Sequence, residues 1–506
     1  MLKRIVCLLL ALFVGLGLLP QQAGALITLE EERKMGRQAL NEVLAAIPLV
    51  DDPDIVGYVR GLGRKLEAYV PDKPFPFVFY VANVGEMNAF AIPGGYIFMF
   101  RGMITTLESE GELVGVMAHE MGHIWRRHLA RRLEKSAPTN AATLAGMLAG
   151  MLLGAVAGAP QLGQALTIGS MAGNIQQQLS FSREDETEAD WAAFKVMTAA
   201  GYPAGELEKS FQRIWRLEST LGGEVPTYLR THPTGPERME TVANMVRQYG
   251  PQKGSFNNHQ FLRIQTRLIA LYDPEEEAKT AFYRRAKENP RDPYPLYGLA
   301  LWYQRRHENE NALRFFKRLH DFWPQDSYLL RDEGICRLDM GQYPEAQKLL
   351  RQSLVLRPDD YEAQLALGRA YQQQGDLAQS EDIFRRLLTK EPRNARALYE
   401  LGVTLGRMGQ LGESSLYLGL SFQQRGRLPT ARYHLSRAVS MLTNKPHLRE
   451  KAQKALKEVE DREQHRKRRP GVDRRQDQEQ GPRGWRWNQP RSGLVVESGQ
   501  RVPALP

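Results

Sequence analysis

The chain has 506 residues, 42% hydrophobic and 25% charged, which is ordinary globular usage and excludes global disorder and a collagen-like fibre. Its two cysteines, Cys7 and Cys336, cannot staple a fold of this size, so a disulfide scaffold is excluded too. The net charge of +10 sits at the ends: residues 464–506 carry ten Lys/Arg against four Asp/Glu and residues 1–25 add Lys3 and Arg4, leaving +2 for the body and no overall signature for nucleic acid.

Residues 1–25 read as an address. Met1-Leu2-Lys3-Arg4 is a positive start, Ile5 to Leu19 is an apolar run of 15, and Ala23-Gly24-Ala25 is a small-x-small cleavage site. An uncleaved anchor is the competing reading, but the run is short for a span of about 20 residues. Cleavage leaves Cys336 as the one cysteine, read as a buried structural residue. From there to residue 252 the periodicity is mixed. Glu30 to Leu44 and Asp54 to Val70 predict amphipathic helices. Phe75 to Val81 and Tyr96 to Phe100 predict strands, bounded by Pro and Gly. Residues 109–134 predict one long helix. Residues 139–175 are rich in Ala, Gly, Leu and Met, and are broken at Gly154, Gly158 and Pro160. They predict a buried or amphipathic helical hairpin rather than a membrane span.

Residues 262–445 have a 34-residue period. Pro290, Pro324, Pro358 and Pro392 share it, as do Gly334, Gly368 and Gly402, and Gly341, Gly375 and Gly409. Ala346, Ser380 and Ser414 follow in step, and so do Phe315, Leu349 and Ile383. Small residues at helix crossings with Pro at the repeat end are the tetratricopeptide pattern. Gly419, Gly426 and Ala431 repeat the offsets 17 residues later, which predicts a shortened final repeat. Residues 464–506 are Arg/Gln/Pro/Gly-rich and predict a disordered basic tail. Its Arg466-Lys467-Arg468-Arg469 cluster, with Trp485 and Trp487 beyond, reads as a solvated tail before it reads as a site for anionic lipid or nucleic acid.

The chemistry lies in 109–134. His119-Glu120-Met121-Gly122-His123 is HExxH. On a helix, i and i+4 share a face, so two imidazoles converge on one metal ion with Glu120 beside a metal-bound water. Zinc lowers the pKa of such a water towards about 7. Glu120 is then the general base, which later returns the proton to the leaving amine. A zinc site needs a third protein ligand. The metzincin position, six residues beyond His123, is Leu129, and His128 is one residue short of it. The acidic stretch Phe181 to Asp190 offers alternatives. Glu186 and Asp190 share a helical face, so Glu186 could ligate while Asp190 supports a His ring. By spacing alone, Glu184 and Glu188 are nearly as eligible.

These motifs resemble the HtpX and CAAX-prenyl-protease family of zinc metallopeptidases, and among them its exported tetratricopeptide-bearing branch. The resemblance covers about residues 28–445. It rests on Asn88-Ala89-Phe90-Ala91-Ile92-Pro93-Gly94-Gly95, on His119-Glu120-x-x-His123 with Arg127-His128, on Ser182-Arg183 with Glu186-x-x-x-Asp190, and on His232-Pro233 with Glu237-Arg238. It implies an α+β zincin-like (gluzincin) domain followed by an all-α tetratricopeptide solenoid, with one Zn2+ per chain. It selects Glu186 as third ligand, with Asp190 and His128 in support. It implies that Asn88, Ala89, Phe90 and Ala91 begin a substrate-binding edge strand, where an extended peptide adds by backbone hydrogen bonds. It brings the loop of His232 to the active site, as a regulatory fourth ligand with Arg238 or, equally, as a brace of the fold. The membrane-integral branches carry long apolar spans that this chain lacks outside 139–175.

The expectation is an exported, periplasmic endopeptidase of a Gram-negative bacterium, acting on unfolded or misassembled proteins. By resemblance its clients are outer-membrane β-barrel proteins, with their assembly machinery as partner of the array. Nucleic acid is not expected, and peripheral membrane contact is left open. The alternative is a chaperone or scaffold whose protease site is silent and self-plugged. Glu120 discriminates the two, because a repeat-only adaptor has no use for it.

Overall fold

Thr28 caps the first helix: its hydroxyl accepts from the Glu31 N–H, and the Glu31 carboxylate accepts from the Thr28 N–H, a reciprocal cap that satisfies two orphan donors. In the computed structural model, which describes residues 27–135, 181–220, 227–233, 235–249 and 254–467, this helix, α1 (Leu29–Ala46), opens the first of two compact units, which extends to Leu268. The predicted signal segment, the 139–175 hairpin and the tail beyond Lys467 lie outside the described residues.

α2 (Pro53–Glu67) starts where Asp52 accepts from the N–H groups of Asp54 and Ile55, with Pro in the first turn. A three-stranded sheet follows: β1 (Val78–Ala82), β2 (Ala89–Ile92) and β3 (Tyr96–Phe100). The order is β1-β3-β2, with β1 parallel and β2 antiparallel to β3, so β2 is an edge. Ala39 and Val43 of α1 bury against Phe90, Ile92, Phe98 and Phe100 of this sheet. α3 (Arg101–Thr106) leaves β3 directly, and Ser109 then caps α4 (Glu110–Trp125) by accepting from the Glu112 N–H.

Every residue of α4 from Glu110 to Ile124 is buried. Such a helix needs partners all round: it packs on α6 (Arg183–Ala199), α7 (Gly205–Thr220), α2, β2 and β3. Its buried first-turn acids are matched. Glu110 accepts from the hydroxyls of Tyr58 and Tyr202, and Glu112 accepts from the guanidinium of Arg213. The single long helix expected over 109–134 is corrected: α4 stops at Trp125 and α5 (His128–Lys135) begins anew. Arg127 takes a left-handed φ of 55° and anchors there, donating to the Ile27 carbonyl and to Glu32. α8 (Thr227–Thr231), α9 (Pro236–Tyr249) and α10 (Asn258–Tyr272) complete this part of the chain. The Gln265 amide donates to the Ile104 and Leu107 carbonyls, closing the end of α3.

The second unit begins at Ile269. Its helices are α11 (Glu275–Glu288), α12 (Pro293–Arg305), α13 (Asn309–Leu319), α14 (Ser327–Asp339), α15 (Tyr343–Leu356), α16 (Tyr361–Gln374), α17 (Leu377–Lys390), α18 (Ala395–Arg407), α19 (Leu411–Gln424), α20 (Leu428–Met441) and α21 (Pro446–Lys467). Each packs on the next. The period-34 glycines are crossing points: a Cβ on Gly334, Gly368 or Gly402 would meet Leu350, Phe384 or Leu418, each sixteen residues on. Gly341, Gly375 and Gly409 turn the chain between paired helices with φ of 76°, 94° and 78°. The offset of 17 is corrected in the same terms. It does not end the array in a shortened repeat. Gly419 meets Leu435, again sixteen residues on, so α19 closes one helix pair and crosses α20 as the first helix of another pair does. Residues 446–467 continue the helices as α21, which takes in the first four residues of the expected tail. Cys336 is free and buried, as expected.

Candidate metal centre

Two helices build the centre. Gly122 of α4 lets α6 approach closely, since a Cβ there would lie 2.9 Å from the Ala189 carbonyl oxygen. Ser182 caps α6 by accepting from the Asp185 N–H, and the acids Glu184, Asp185 and Glu186 fill the first turn, where negative charge is favoured. Glu186 and Asp190, one turn apart, both face α4 and are buried. α8 then delivers His232, and α9 delivers Arg238.

His119, His123, Glu186 and His232 each offer one donor atom, and these atoms all lie within 4.8 Å of one another. The Nε2 atoms of His119 and His123 are 2.9 Å apart. Glu186 Oε2 is 3.3 Å from His119 Nε2, and Oε1 is 3.8 Å from His123 Nε2. His232 Nδ1 is 3.0 Å from Glu186 Oε1 and 3.4 Å from His119 Nε2. Tetrahedral zinc with bonds of about 2.0–2.1 Å sets its ligands about 3.3 Å apart, so the donor set fits the ion in number, chemistry and spacing.

Glu120 lies beside this set. Both of its oxygens are buried without a hydrogen bond, and His232 Nε2 stands 3.6 Å from Oε1. A buried carboxylate left so is costly unless a missing water or ion accounts for it. Asp190 Oδ1 is 2.8 Å from His119 Nδ1. Arg238 grips Asp190 through Nε at 2.7 Å and Nη2 at 2.8 Å, reaches Glu186 through Nη1 at 2.6 Å, and lies over the Phe211 ring at 4.4 Å. His123 is stacked on Phe181 at 3.9 Å, and Tyr228 on His232 at 4.6 Å.

The protonation states follow from these neighbours. Burial raises the Glu186 carboxyl, but the Arg238 guanidinium and His232 outweigh it and hold the group well below the usual carboxylate range. Asp190 is lowered likewise, by Arg238 and His119 against its burial. Burial and then His119 push His123 well below the ordinary imidazole value. His119 is lowered by burial and Arg238, yet Asp190 and Glu186 prevail and raise it to about 9. The ionised carboxylates and the neutral His123 are donors ready for a cation, whereas His119 is protonated near neutral pH and gives up its proton when a cation binds.

The residues expected at the site are therefore placed as follows. His119, Glu120, His123, His128, Glu186, Asp190, His232 and Arg238 form one cluster. Glu184 is exposed. Glu188 turns to His128 Nε2, at 3.1 Å. Asn88 precedes the edge strand β2, which carries Ala89, Phe90 and Ala91 and packs on α4; Asn88 is buried and its Oδ1 has no hydrogen bond. Sequence reasoning missed Phe211, Phe181 and Tyr228 around the rings. Aromatic residues carry no spacing rule, so only the assembled helices reveal them.

Comparison with known proteins agrees with this geometry. Residues 61–246 match the model of Peptidase family M48, and residues 337–401 match that of the Tetratricopeptide repeat. The chain is 28% identical over 371 residues to a beta-barrel assembly-enhancing protease of Yersinia pestis, covering 71% of this chain and 75% of that one. To the protein of that name from Escherichia coli (strain K12) it is 27% identical over 369 residues, 72% and 74% of the two chains. A mitochondrial metalloendopeptidase OMA1 of Schizosaccharomyces pombe is 27% identical over 221 residues, 43% of this chain and 61% of that one.

Proposed function

From a chain that joins a peptidase family M48 domain to tetratricopeptide repeats, and is on that account a metalloendopeptidase, we propose a zinc-dependent enzyme that cleaves unfolded or misassembled proteins in the periplasm, in outer-membrane protein assembly and quality control. The observation that carries the reading is the donor set of His119, His123, Glu186 and His232 within 4.8 Å, with Glu120 buried beside it and unbonded.

His119, His123 and Glu186 would hold the ion. When bound, zinc supplies a water of lowered pKa and polarises the scissile carbonyl. Glu120 takes the proton of the attacking water and returns it to the leaving amine nitrogen. Asp190 accepts from His119 Nδ1–H and so keeps Nε2 turned to the set. Arg238 balances the two buried carboxylates. Substrate adds as a strand along the edge beginning at Asn88, which suits chains with unpaired strands. The repeat array docks clients or assembly machinery, since stacked helical repeats present extended binding surfaces. The named relatives make outer-membrane β-barrel proteins the candidate clients. Among the described residues no helix is long and apolar enough to cross a membrane.

His232 is the regulatory element of this reading. With Nδ1 at 3.0 Å from Glu186 and Nε2 at 3.6 Å from Glu120, it would serve as a fourth ligand at rest and would have to leave for catalysis. A second reading, a chaperone-like protein with a silent site, rests on that same placement.

Cleavage of an unfolded β-rich protein tests the main reading. Wild type should cut it, and a chelator should stop it. Glu120→Gln should lose about 10²–10⁴-fold in rate while still binding zinc. His232→Ala should raise basal cleavage, and an unchanged rate removes the plug. No cleavage by either wild type or His232→Ala, with zinc bound, favours the chaperone-like reading. A chain that binds no metal refutes the site.

A further inference from the structure

His119 has its own carboxylate, Asp190, on Nδ1. His123 has a different support. Its Nδ1 lies 2.8 Å from Nδ1 of His128, a residue five positions on. Five residues of unbroken helix would place His128 about 140° round from His123. The left-handed turn at Arg127 brings it back onto the ring.

Two imidazole nitrogens at this distance share one proton, so one donates and the other accepts. The far side of His128 decides which. His128 Nε2 lies 3.1 Å from Glu188 Oε2 and 3.8 Å from Asp185 Oδ1. Arg131 Nη2 holds the same two acids, at 2.7 Å from Glu188 and 3.3 Å from Asp185. A carboxylate only accepts. The His128 proton therefore sits on Nε2, and its Nδ1 is left as acceptor. The proton between the rings then belongs to His123 Nδ1. His123 Nε2 is left with its lone pair directed at the donor set. Each proton along this line is fixed from its outer end, where Glu188 is within hydrogen-bond distance of His128 and Asp185 stands farther off.

We propose that Glu188 is a positioning residue of the metal centre, which sets, through His128, the tautomer and ring orientation of His123. This rests on the proposed metal site and adds to it an arm that ends at the surface. Glu188 and Arg131 are 45% and 43% exposed, whereas the side chains of Asp190 and Arg238 are 1% and 9% exposed. An exposed ion pair adds little to stability. Removing Glu188 should therefore leave the metal-free fold intact and act on metal binding alone.

The test uses the full chain, with zinc affinity read by competition against a chromophoric chelator, and the ligand field read from the visible spectrum of the cobalt-loaded protein. Glu188→Ala should weaken zinc binding about 10–100-fold and alter the cobalt spectrum, with an unchanged unfolding midpoint for the metal-free protein. Glu188→Gln keeps an oxygen that accepts from His128 Nε2–H, and should restore most of the affinity. His128→Ala should weaken binding to a similar degree, and adding Glu188→Ala to it should cost nothing further, because the two act in series. Wild-type affinity in Glu188→Ala overturns the proposal, and so does a loss matched by a lower metal-free midpoint. A wild type that binds no zinc overturns the metal site and this proposal together.

Discussion

The repeat array and the metal centre are both packed from helices, but they are put together from different distances along the chain. In the array, Gly334, Gly368, Gly402 and Gly419 each meet a side chain sixteen residues on. Buried polar contacts there stay within about one repeat, as when the Tyr297 hydroxyl donates to Asp332, 35 residues away. In the centre, His119 meets His232 across 113 residues and Arg238 across 119. Local contacts tolerate a local error, because each repeat leans only on its neighbours. A centre whose parts come from α4, α6, α8 and α9 fails as a whole when one part moves. Damage of equal size should therefore stay local in the array and spread in the centre.

Asp190→Ala is the strongest way to break this contrast. It removes the carboxylate held by Arg238 at 2.7 and 2.8 Å, and leaves Glu186 as the carboxylate that still balances the guanidinium. Uncovering a buried charge costs about 3–5 kcal/mol, and His119 loses its orienting partner as well. Chemical denaturation should show a loss of that order in the first unit, together with weakened zinc binding. A change below about 1 kcal/mol would mean that Glu186 and solvent satisfy Arg238, and that the centre tolerates damage as the array does. Arg238→Ala, which strands Asp190 and Glu186 instead, should be comparably severe.

The same contrast explains what could be read from the sequence. The array was legible because its period repeats the answer: Pro recurs every 34 residues from Pro290 to Pro392, and Gly recurs at the crossings of Gly334, Gly368 and Gly402. His119, Glu120 and His123 were legible because one helical turn fixes their geometry. Glu186 was not separable from Glu184 and Glu188 by spacing, because which face of α6 meets α4 depends on the Gly122 crossing. The long helix expected over 109–134 failed at Arg127, where no Gly or Pro marks the break. Contacts to Ile27 and Glu32 hold that turn, and both lie about a hundred residues earlier in the chain. The apparent shortened repeat failed because the 17-residue offset is the step from one helix to its partner, which α19 takes again with α20.

One substitution made in both regions sharpens the comparison. In Gly368→Ala the new Cβ meets ring atoms of Phe384 at 2.6 Å, and a side chain can shift at a cost of about 1–3 kcal/mol. In Gly122→Ala it meets the Ala189 backbone at 2.9 Å, so α6 itself must move and carry Glu186 and Asp190 with it. Gly368→Ala should lower array stability and leave zinc affinity and peptidase rate as in wild type. Gly122→Ala should lower both zinc affinity and rate, even where its effect on stability is no greater. Equal effects on zinc binding would show that the α4–α6 crossing does not set the ligand spacing.

The smallest effect is expected where the two regions are asked to ignore each other. Cys336 is the only cysteine outside the predicted signal segment, and it is buried in the core of the early repeats. Burial, then the charges of Asp339 and Glu333, push its thiol up to about 12. Against the ordinary value of 9.0 this leaves about a thousandfold less thiolate near neutral pH. Alkylation of the native protein should therefore be slow and should proceed through opening of the array. Stripping the metal with a chelator loosens a centre built from α4, α6, α8 and α9, none of which contributes to the core around Cys336. The alkylation rate should stay the same with and without chelator, while Gly368→Ala, placed in a neighbouring repeat, should raise it. A rate that climbs on chelation would mean that the array draws its stability from the metal centre, and that the two regions unfold as one.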